Sequence, residues 1–449
     1  MTLQASLMRE LEHRDLSVND RAELSFDFSR ELENKGDYEE ARKVLSYYWP
    51  RIGEEPNVSG LEPNTTAELL LRAGVLTGII GGQRQIANAQ EMAKNLITQS
   101  HSIFESRKNN KKVAEALTEL ALCYWRTDDL NEARACLDQA LSLLTIDGEL
   151  KAKAILRLSI VEHAAGRDQK AFRILTKHAP LFQKINSHML KGCYFSALGD
   201  RLENLAESRK DADCVDRALI EYAAASYHLE LAGHRPYFAN VEANLGFLYF
   251  KINRFDDANE HLDRARRIYV TLKDTRTVAQ VDETRARIFL AQGRLKEAER
   301  AARSAVRIQE KGGNAFLTTE ALITYGSVLA QTESYAAALS TFRRAFELSE
   351  RAGLGNRAAD AAVTAFRAIG DRLAVSDRGQ LLSGRALGQD KLSMEHHVIE
   401  VALEQANGKV SEAARILGTS WQGLGYAPRT RHQDLLNKRT PMRQRKRRS

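Results

Sequence analysis

Apolar residues along most of the chain recur at the three-to-four-residue spacing of a single helix face, and the runs come in couples joined by a short polar turn. Four segments carry the pattern most plainly: "LALCYWRTDDLNEARACLDQAL" (120–141), "LGFLYFKINRFDDANEHLDRAR" (245–266), "RARIFLAQGRLKEAERAARSAV" (285–306) and "YGSVLAQTESYAAALSTFRRAF" (325–346). In each, a small residue (Ala121, Gly246, Ala286, Gly326) stands three places before a bulky one (Tyr124, Tyr249, Phe289, Leu329). After the turn comes a small alanine (Ala133, Ala258, Ala298, Ala338), with a further small or apolar residue four places on, Leu137, Leu262 and Phe342 among them. Two stripes at helical spacing on either side of a turn predict an antiparallel helix pair. The small residues permit close approach, and the bulky ones fill the space between neighbours.

Weaker copies stand at "GDYEEARKVL" (36–45), "GRDQKAFRIL" (166–175) and "CVDRALIEY" (214–222), and 69–99 reads as a divergent pair. The turn-side alanines are Ala41, Ala133, Ala171, Ala218, Ala258, Ala298 and Ala338, and the last three steps are each 40 residues. The pattern resembles the tetratricopeptide repeat, L-G-x2-Y followed by A-x3-F, over about residues 20–370. Such repeats ordinarily step by about 34 residues, so the excess asks for longer helices or longer loops between pairs. The resemblance implies a helical solenoid whose pairs are stable only when stacked, with a groove that takes an extended peptide or a partner's helix. The sequence singles out no residue of that groove.

Between 371 and 393 the repeat pattern is lost and Gly and Ser increase, which reads as a linker. Helical periodicity then resumes with a different grammar. Val398, Ile399, Ala402 and Leu403 form one apolar stripe, the Asn407-Gly408 step stops that helix, and a second short helix carries Ala413, Ala414, Ile416 and Leu417. Gly418 supplies a tight turn, and Thr419 and Ser420 offer the N-cap of a third helix.

The run "ALEQANGKVSEAARILGTS" resembles the "ALxxxxGNxxxAARxLGxS" of factor-for-inversion-stimulation helix-turn-helix modules, over about 394–438. That resemblance implies a third helix in the major groove of duplex DNA, with Ser420, Trp421, Gln422 and Gly423 at its start and Tyr426 a turn later. Gln422 would pair with adenine, and Ser420 would hold a phosphate at the helix N-terminus. The chain departs from the family at Gly423, Gly425 and Pro428. Each glycine costs about 1 kcal/mol of helix propensity against Ala, and Pro428 turns Ala427 away from helical geometry. The reading helix is therefore expected to end near Tyr426, with Arg429 and Arg431 adding phosphate contacts. Modules of this type commonly pair, which raises a homodimer.

Charge sharpens this division. The whole chain carries +7, yet the stretch from Arg429 to Ser449 holds nine Lys or Arg against Asp434, which leaves the remainder near neutrality. With 28% charged residues and 7 Pro, the composition is that of a mostly helical protein. The expected architecture is all-α: a tetratricopeptide-like array over 1–370, a linker over 371–393, a helix-turn-helix over 394–438 and a basic tail over 439–449.

Evidence for chemistry is sparse. Cys123, Cys136, Cys193 and Cys214 have neither metal-site nor disulfide-scaffold spacing, and "GIIGGQRQ" lacks the lysine of a phosphate loop. His396 and Glu400 lie one helical turn apart, but two ligands do not make a metal site. No cofactor, metal or catalytic set is expected, and with no signal peptide or membrane span the expected compartment is the cytoplasm. Two functions fit. One is a bacterial DNA-binding regulator whose array receives a protein or peptide partner; the other is an interaction scaffold whose C-terminal module no longer reads DNA.

Overall fold

The computed structural model describes residues 16–209 and 212–358, with 360, 361, 363–365, 368, 396, 399, 400, 403, 404, 406, 408–416 and 435. The described residues are helical, with no strand among them. Two compact units divide the chain, Met1–Ile268 and Tyr269–Ser449.

The helices are α1 (Val18–Lys35), α2 (Tyr38–Val44), α3 (Pro63–Arg84), α4 (Ala89–Ser106), α5 (Asn110–Arg126), α6 (Leu130–Leu143), α7 (Glu149–Ala164), α8 (Asp168–Lys177), α9 (Ala179–Lys184), α10 (His188–Arg209), α11 (Ala212–Ala232), α12 (Arg235–Lys251), α13 (Phe255–Thr271), α14 (Thr275–Ala291), α15 (Leu295–Gly312), α16 (Ala315–Gln331), α17 (Tyr335–Arg351) and α18 (Val410–Ile416). Every couple marked in the sequence falls on a helix pair. The divergent stretch 69–99 is α3–α4, and 214–222 lies in α11, the second member of α10–α11.

The 40-residue step is a matter of helix length. α12, α13 and α14 have 17 residues each and are separated by turns of three residues, so two helices and two turns complete one step. The turns within α5–α6, α12–α13, α14–α15 and α16–α17 each place one residue in the left-handed region, Asp128, Asn253, Gly293 and Glu333. At the turns between pairs, Asn109, Asp274 and Asn314 accept the backbone N–H three residues on, at 3.2, 3.0 and 3.0 Å.

All seven turn-side alanines are fully buried. The size complementarity read from the sequence is a physical interlock between the helices of a pair. A methyl added at Gly246 would lie 2.5 Å from Leu262 Cγ, and one at Gly326 would lie 2.8 Å from Phe342 Cε1. Each glycine is thus the socket for the residue four places after the turn-side alanine, as Gly199 is for Tyr222. Of the bulky first-helix residues, Leu329 fills the core as expected, and the other three add a polar contact to partial burial. Tyr124, Tyr249 and Phe289 are only partly buried, and each ring lies under a cation, from Lys94, Arg254 and Arg294 at 4.9, 4.7 and 4.5 Å.

Within the first unit, the α1–α2 turn meets the start of α12. Tyr38 Oη lies 3.3 Å from His234 Nε2, 196 residues away, and a methyl on Gly36 would fall 2.7 Å from Pro236 Cδ. Gly36 adopts a φ of 77° there, so both the turn and the close approach need glycine. His234 occupies the cap position that Asn or Asp fills elsewhere, and its Nδ1 accepts from Tyr237 N at 3.2 Å. An Nδ1 that accepts requires the proton of the neutral ring on Nε2, which then donates to Tyr38 Oη. Burial pushes the His234 pKa down to about 4, in keeping with a neutral ring.

Candidate functional site

Two regions carry functional character: the helix-turn-helix corner and the polar faces of the first unit. At the corner, Leu403 and Ile399 bury one side of the first helix, which ends where Gly408 enters the left-handed region at φ 75°. Gly408 N donates to Leu403 O at 2.7 Å and Lys409 N to Ala406 O at 3.0 Å, closing that end before α18 begins. Ala413 and Ala414 are buried at the crossing and form one core with Ile399, Leu403, Ala406 and Leu435. Phe346 of α17 and Val363 pack against this core. This is the two-helix scaffold that the sequence called for. The reading positions Ser420, Trp421, Gln422, Gly423, Tyr426, Arg429 and Arg431 lie outside the described residues, as do Val398 and Ala402. His396 Nδ1 and Glu400 Oε2 lie 3.9 Å apart along one helix turn.

In the first unit, buried charges join successive helix pairs. Arg72 of α3 reaches Glu33 of α1 at 3.0 Å and Glu115 of α5 at 2.8 Å, while Glu68 receives Arg30 at 2.5 Å and Lys112 at 2.6 Å. Three cations thus face three carboxylates, the balance that lets charge persist away from water. One step further, Glu119 of α5 accepts from Lys153 at 2.5 Å and Arg157 at 2.8 Å, both from α7. Burial by itself would raise the Glu119 pKa, but those two cations hold it well below the usual carboxylate range.

Next along the unit lies an open polar cleft of about 300 Å³, lined by His163, Asp200, Arg201, Glu203, Asn204, Tyr222, Asn244 and Lys251. Tyr222 Oη lies 2.7 Å from Asp200 Oδ1 and 3.0 Å from Glu203 Oε2, so the residue seated on Gly199 donates its single proton to one of the two carboxylates at a time. Lys251 Nζ donates to Glu203 Oε1 at 2.7 Å, and Asn244 Nδ2 to Asp200 Oδ1 at 3.4 Å. Arg201 stands apart from this order. It is only 6% exposed, its Nε is buried without a partner, and its Nη2 comes no nearer than 3.9 Å to Asp200 Oδ2. Burial pulls its pKa below the usual guanidinium value, Asp200 opposing. Sequence reading had no access to this cleft, because four separate helices build it and none carries a local motif.

All four cysteines are free thiols. No group of three metal-ligating side chains occurs among the described residues, and no helix among them is long and apolar enough to cross a membrane.

Comparison with known proteins agrees with the two-part reading. Residues 91–184 match the tetratricopeptide repeat, and residues 393–427 match the Fis family of bacterial regulatory proteins. No curated protein matches the chain. Among solved structures, the apo form of the quorum sensor NprR from B. thuringiensis is similar at 10% identity, covering 77% of this chain and 92% of that one, with a TM-score of 0.51. The human IFIT1 dimer with m7Gppp-AAAA is similar at 13% identity, covering 73% of this chain and 72% of that one, also at 0.51. Likeness at these identities concerns the fold alone. Both matched modules are of non-catalytic kinds.

Proposed function

We propose that this chain is a bacterial DNA-binding transcriptional regulator acting in the cytoplasm. Its helical-repeat body receives a protein or peptide partner, and its C-terminal helix-turn-helix engages duplex DNA. The observation that carries the reading is the corner at Leu403, Gly408, Ala413 and Ala414, lying within the segment that matches the Fis family of regulators. In this reading Ser420, Trp421, Gln422, Gly423 and Tyr426 meet the major groove, and Arg429, Arg431 and the basic stretch after them meet phosphates. With Gly423 and Pro428 shortening the reading helix, phosphates contribute more of the affinity than bases do. No catalytic role is proposed. Pairing through the repeats would place two reading helices on successive major grooves, about 34 Å apart.

The test compares the full chain with one lacking residues 394–449, using a random-sequence duplex pool in 50 to 200 mM salt. Six or more phosphate contacts weaken binding on the order of 10³-fold across that range. The full chain should show such a slope and the truncated one none. Equal, weak binding by both at the lowest salt would end the DNA-binding reading. Selection from the same pool reports how much base preference remains, and sedimentation at micromolar concentration reports pairing.

A further inference from the structure

We propose that the exposed face of α11 is where two copies of this chain pair, crossing antiparallel about a two-fold axis level with the Ala223–Ala224 step. The proposal gives a surface to the pairing raised above and rests on that part of the reading, independently of DNA.

The repeat supplies its own standard of comparison. Residues 40 apart occupy equivalent places in α11, α13 and α15, because the turn-side alanines Ala218, Ala258 and Ala298 are spaced so. At the place of Ile220 the next two second helices carry Glu260 and Arg300, and at that of Tyr227 they carry Arg267 and Arg307. At the place of Leu231, α15 carries Lys311. These side chains are exposed, as charged groups on a solvated face should be. In α11 the same places hold Ile220, Tyr227 and Leu231 at 67, 60 and 54% exposure, with Ala223 and Ala224 between them. Their three- and four-residue spacings put all five on one stripe of the helix. Single apolar residues scattered on a surface are ordinary, whereas a contiguous stripe of a few hundred Å² marks a contact.

The order of sizes along the stripe selects the occupant. It runs large, small, small, large from Ile220 through Ala223 and Ala224 to Tyr227, so a second copy turned end for end sets each Ile220 over the other Tyr227. The alanines fall at the crossing, where small side chains let two helices approach closely, and Leu231 extends the apolar contact at each end. Charge agrees with this direction. α11 holds Asp213, Asp216, Glu221 and Glu230 against Arg217. An antiparallel crossing keeps the two acidic first turns at least about 20 Å apart, beyond the Debye length of about 8 Å, and brings Glu230 of one copy level with Arg217 of the other. No charged side chain stands on the stripe between Arg217 and Glu230, so none has to leave water. The same acids disfavour a lipid surface, which draws basic helices. Specific dimers bury about 800 Å² on each partner; here the stripe forms the apolar centre, and the stems of Arg217, Glu221 and Glu230 form the rim.

The experiment is sedimentation of the full chain, without DNA, from about 0.1 to about 100 μM. Wild type should pass from monomer to dimer within that range. Ile220→Lys and Tyr227→Glu should each weaken the dimer on the order of 100-fold, since either change enters the contact twice and puts a charge into its apolar centre. Both side chains are exposed in the monomer, so neither change should alter its helicity or melting temperature. Mixing the two variants should restore a dimer, because Ile220→Lys in one copy then faces Tyr227→Glu in the other while the second Ile220–Tyr227 contact stays native. Arg300→Glu, at the place of Ile220 on α15, should dimerise as wild type does. Dimerisation of Ile220→Lys and Tyr227→Glu at wild-type concentrations would overturn the α11 surface and leave pairing through another part of the repeats standing. A wild type that stays monomeric throughout the range would overturn both. Monomeric variants that remain monomeric when mixed would overturn the antiparallel crossing, and the inference with it.

Discussion

Leu262 and the socket at Gly246 offer the sharpest check on how the helix pairs are held together. A Cβ at position 246 would lie 2.5 Å from Leu262 Cγ, 2.9 Å from its Cδ2 and 3.1 Å from Ala258 O. Overpacking of that kind costs about 1–3 kcal/mol, and alanine returns about 1 kcal/mol of helix propensity, so Gly246→Ala should destabilise by about 1 kcal/mol. Leu262 is fully buried, and Leu262→Ala should cost about 3 kcal/mol through lost transfer energy and the cavity left behind. Independent sites would give about 4 kcal/mol together. In the double variant the new methyl occupies vacated space, the clash is gone and the propensity gain stays, so about 2 kcal/mol is expected. Hydrogen exchange on peptides from 235–271 reads the local opening free energy without assuming that the whole array unfolds at once. Additivity of the two changes to within about 0.5 kcal/mol would refute the interlock.

Other consequences follow from the buried polar groups. Arg72→Met leaves Glu33, Glu68 and Glu115 without their shared cation and should cost about 3–5 kcal/mol by urea denaturation at pH 7, a deficit that narrows as pH falls and the stranded carboxylates take up protons. The His234 pKa, about 4 in the fold, lies below its unfolded value, so the unfolded chain binds the extra proton and stability falls as pH drops from about 6.5 toward 4. That shift is worth about 3 kcal/mol, and His234→Asn, which keeps the cap, should flatten the stability profile in this window; an unchanged profile would refute the neutral-ring assignment. Tyr38→Phe removes the acceptor of His234 Nε2 and should cost about 1–2 kcal/mol in the exchange protection of the α1–α2 turn, leaving that of α17 unaltered.

Local packing rules made the fold legible. Turn-side alanines such as Ala133 and Ala298 are small because a second helix lies on them, and that demand repeats wherever two helices cross near a turn. The Gly408 stop and the Ala413–Ala414 crossing were readable for the same reason. The 40-residue spacing was visible, but its cause was not, since added helix and added loop lengthen a repeat alike. Contacts that depend on how many pairs stack left no periodic trace. Tyr38 and His234 meet across 196 residues, and the sole sequence signal was a histidine at a cap position where Asn109, Asp274 and Asn314 stand in other pairs. Arg201 was equally silent, because a polar residue on a first helix has the same pattern whether it faces bulk water or the side chains of neighbouring helices.

The second unit places the helix-turn-helix corner against the last of the repeats. Among the described residues, six buried side chains form the core of the corner, and three of them are alanines. Phe346 and Val363 pack against it, and Phe346 stands one residue after Ala345, which packs among the helices of the array. The same short stretch of α17 therefore serves two cores with its two faces. A shift of α17 that suited the array alone would withdraw the phenyl ring from Leu403 and Ile399 and weaken the corner. The packing of the last repeat and the stability of the helix-turn-helix are for this reason linked quantities, with no ligand needed to couple them.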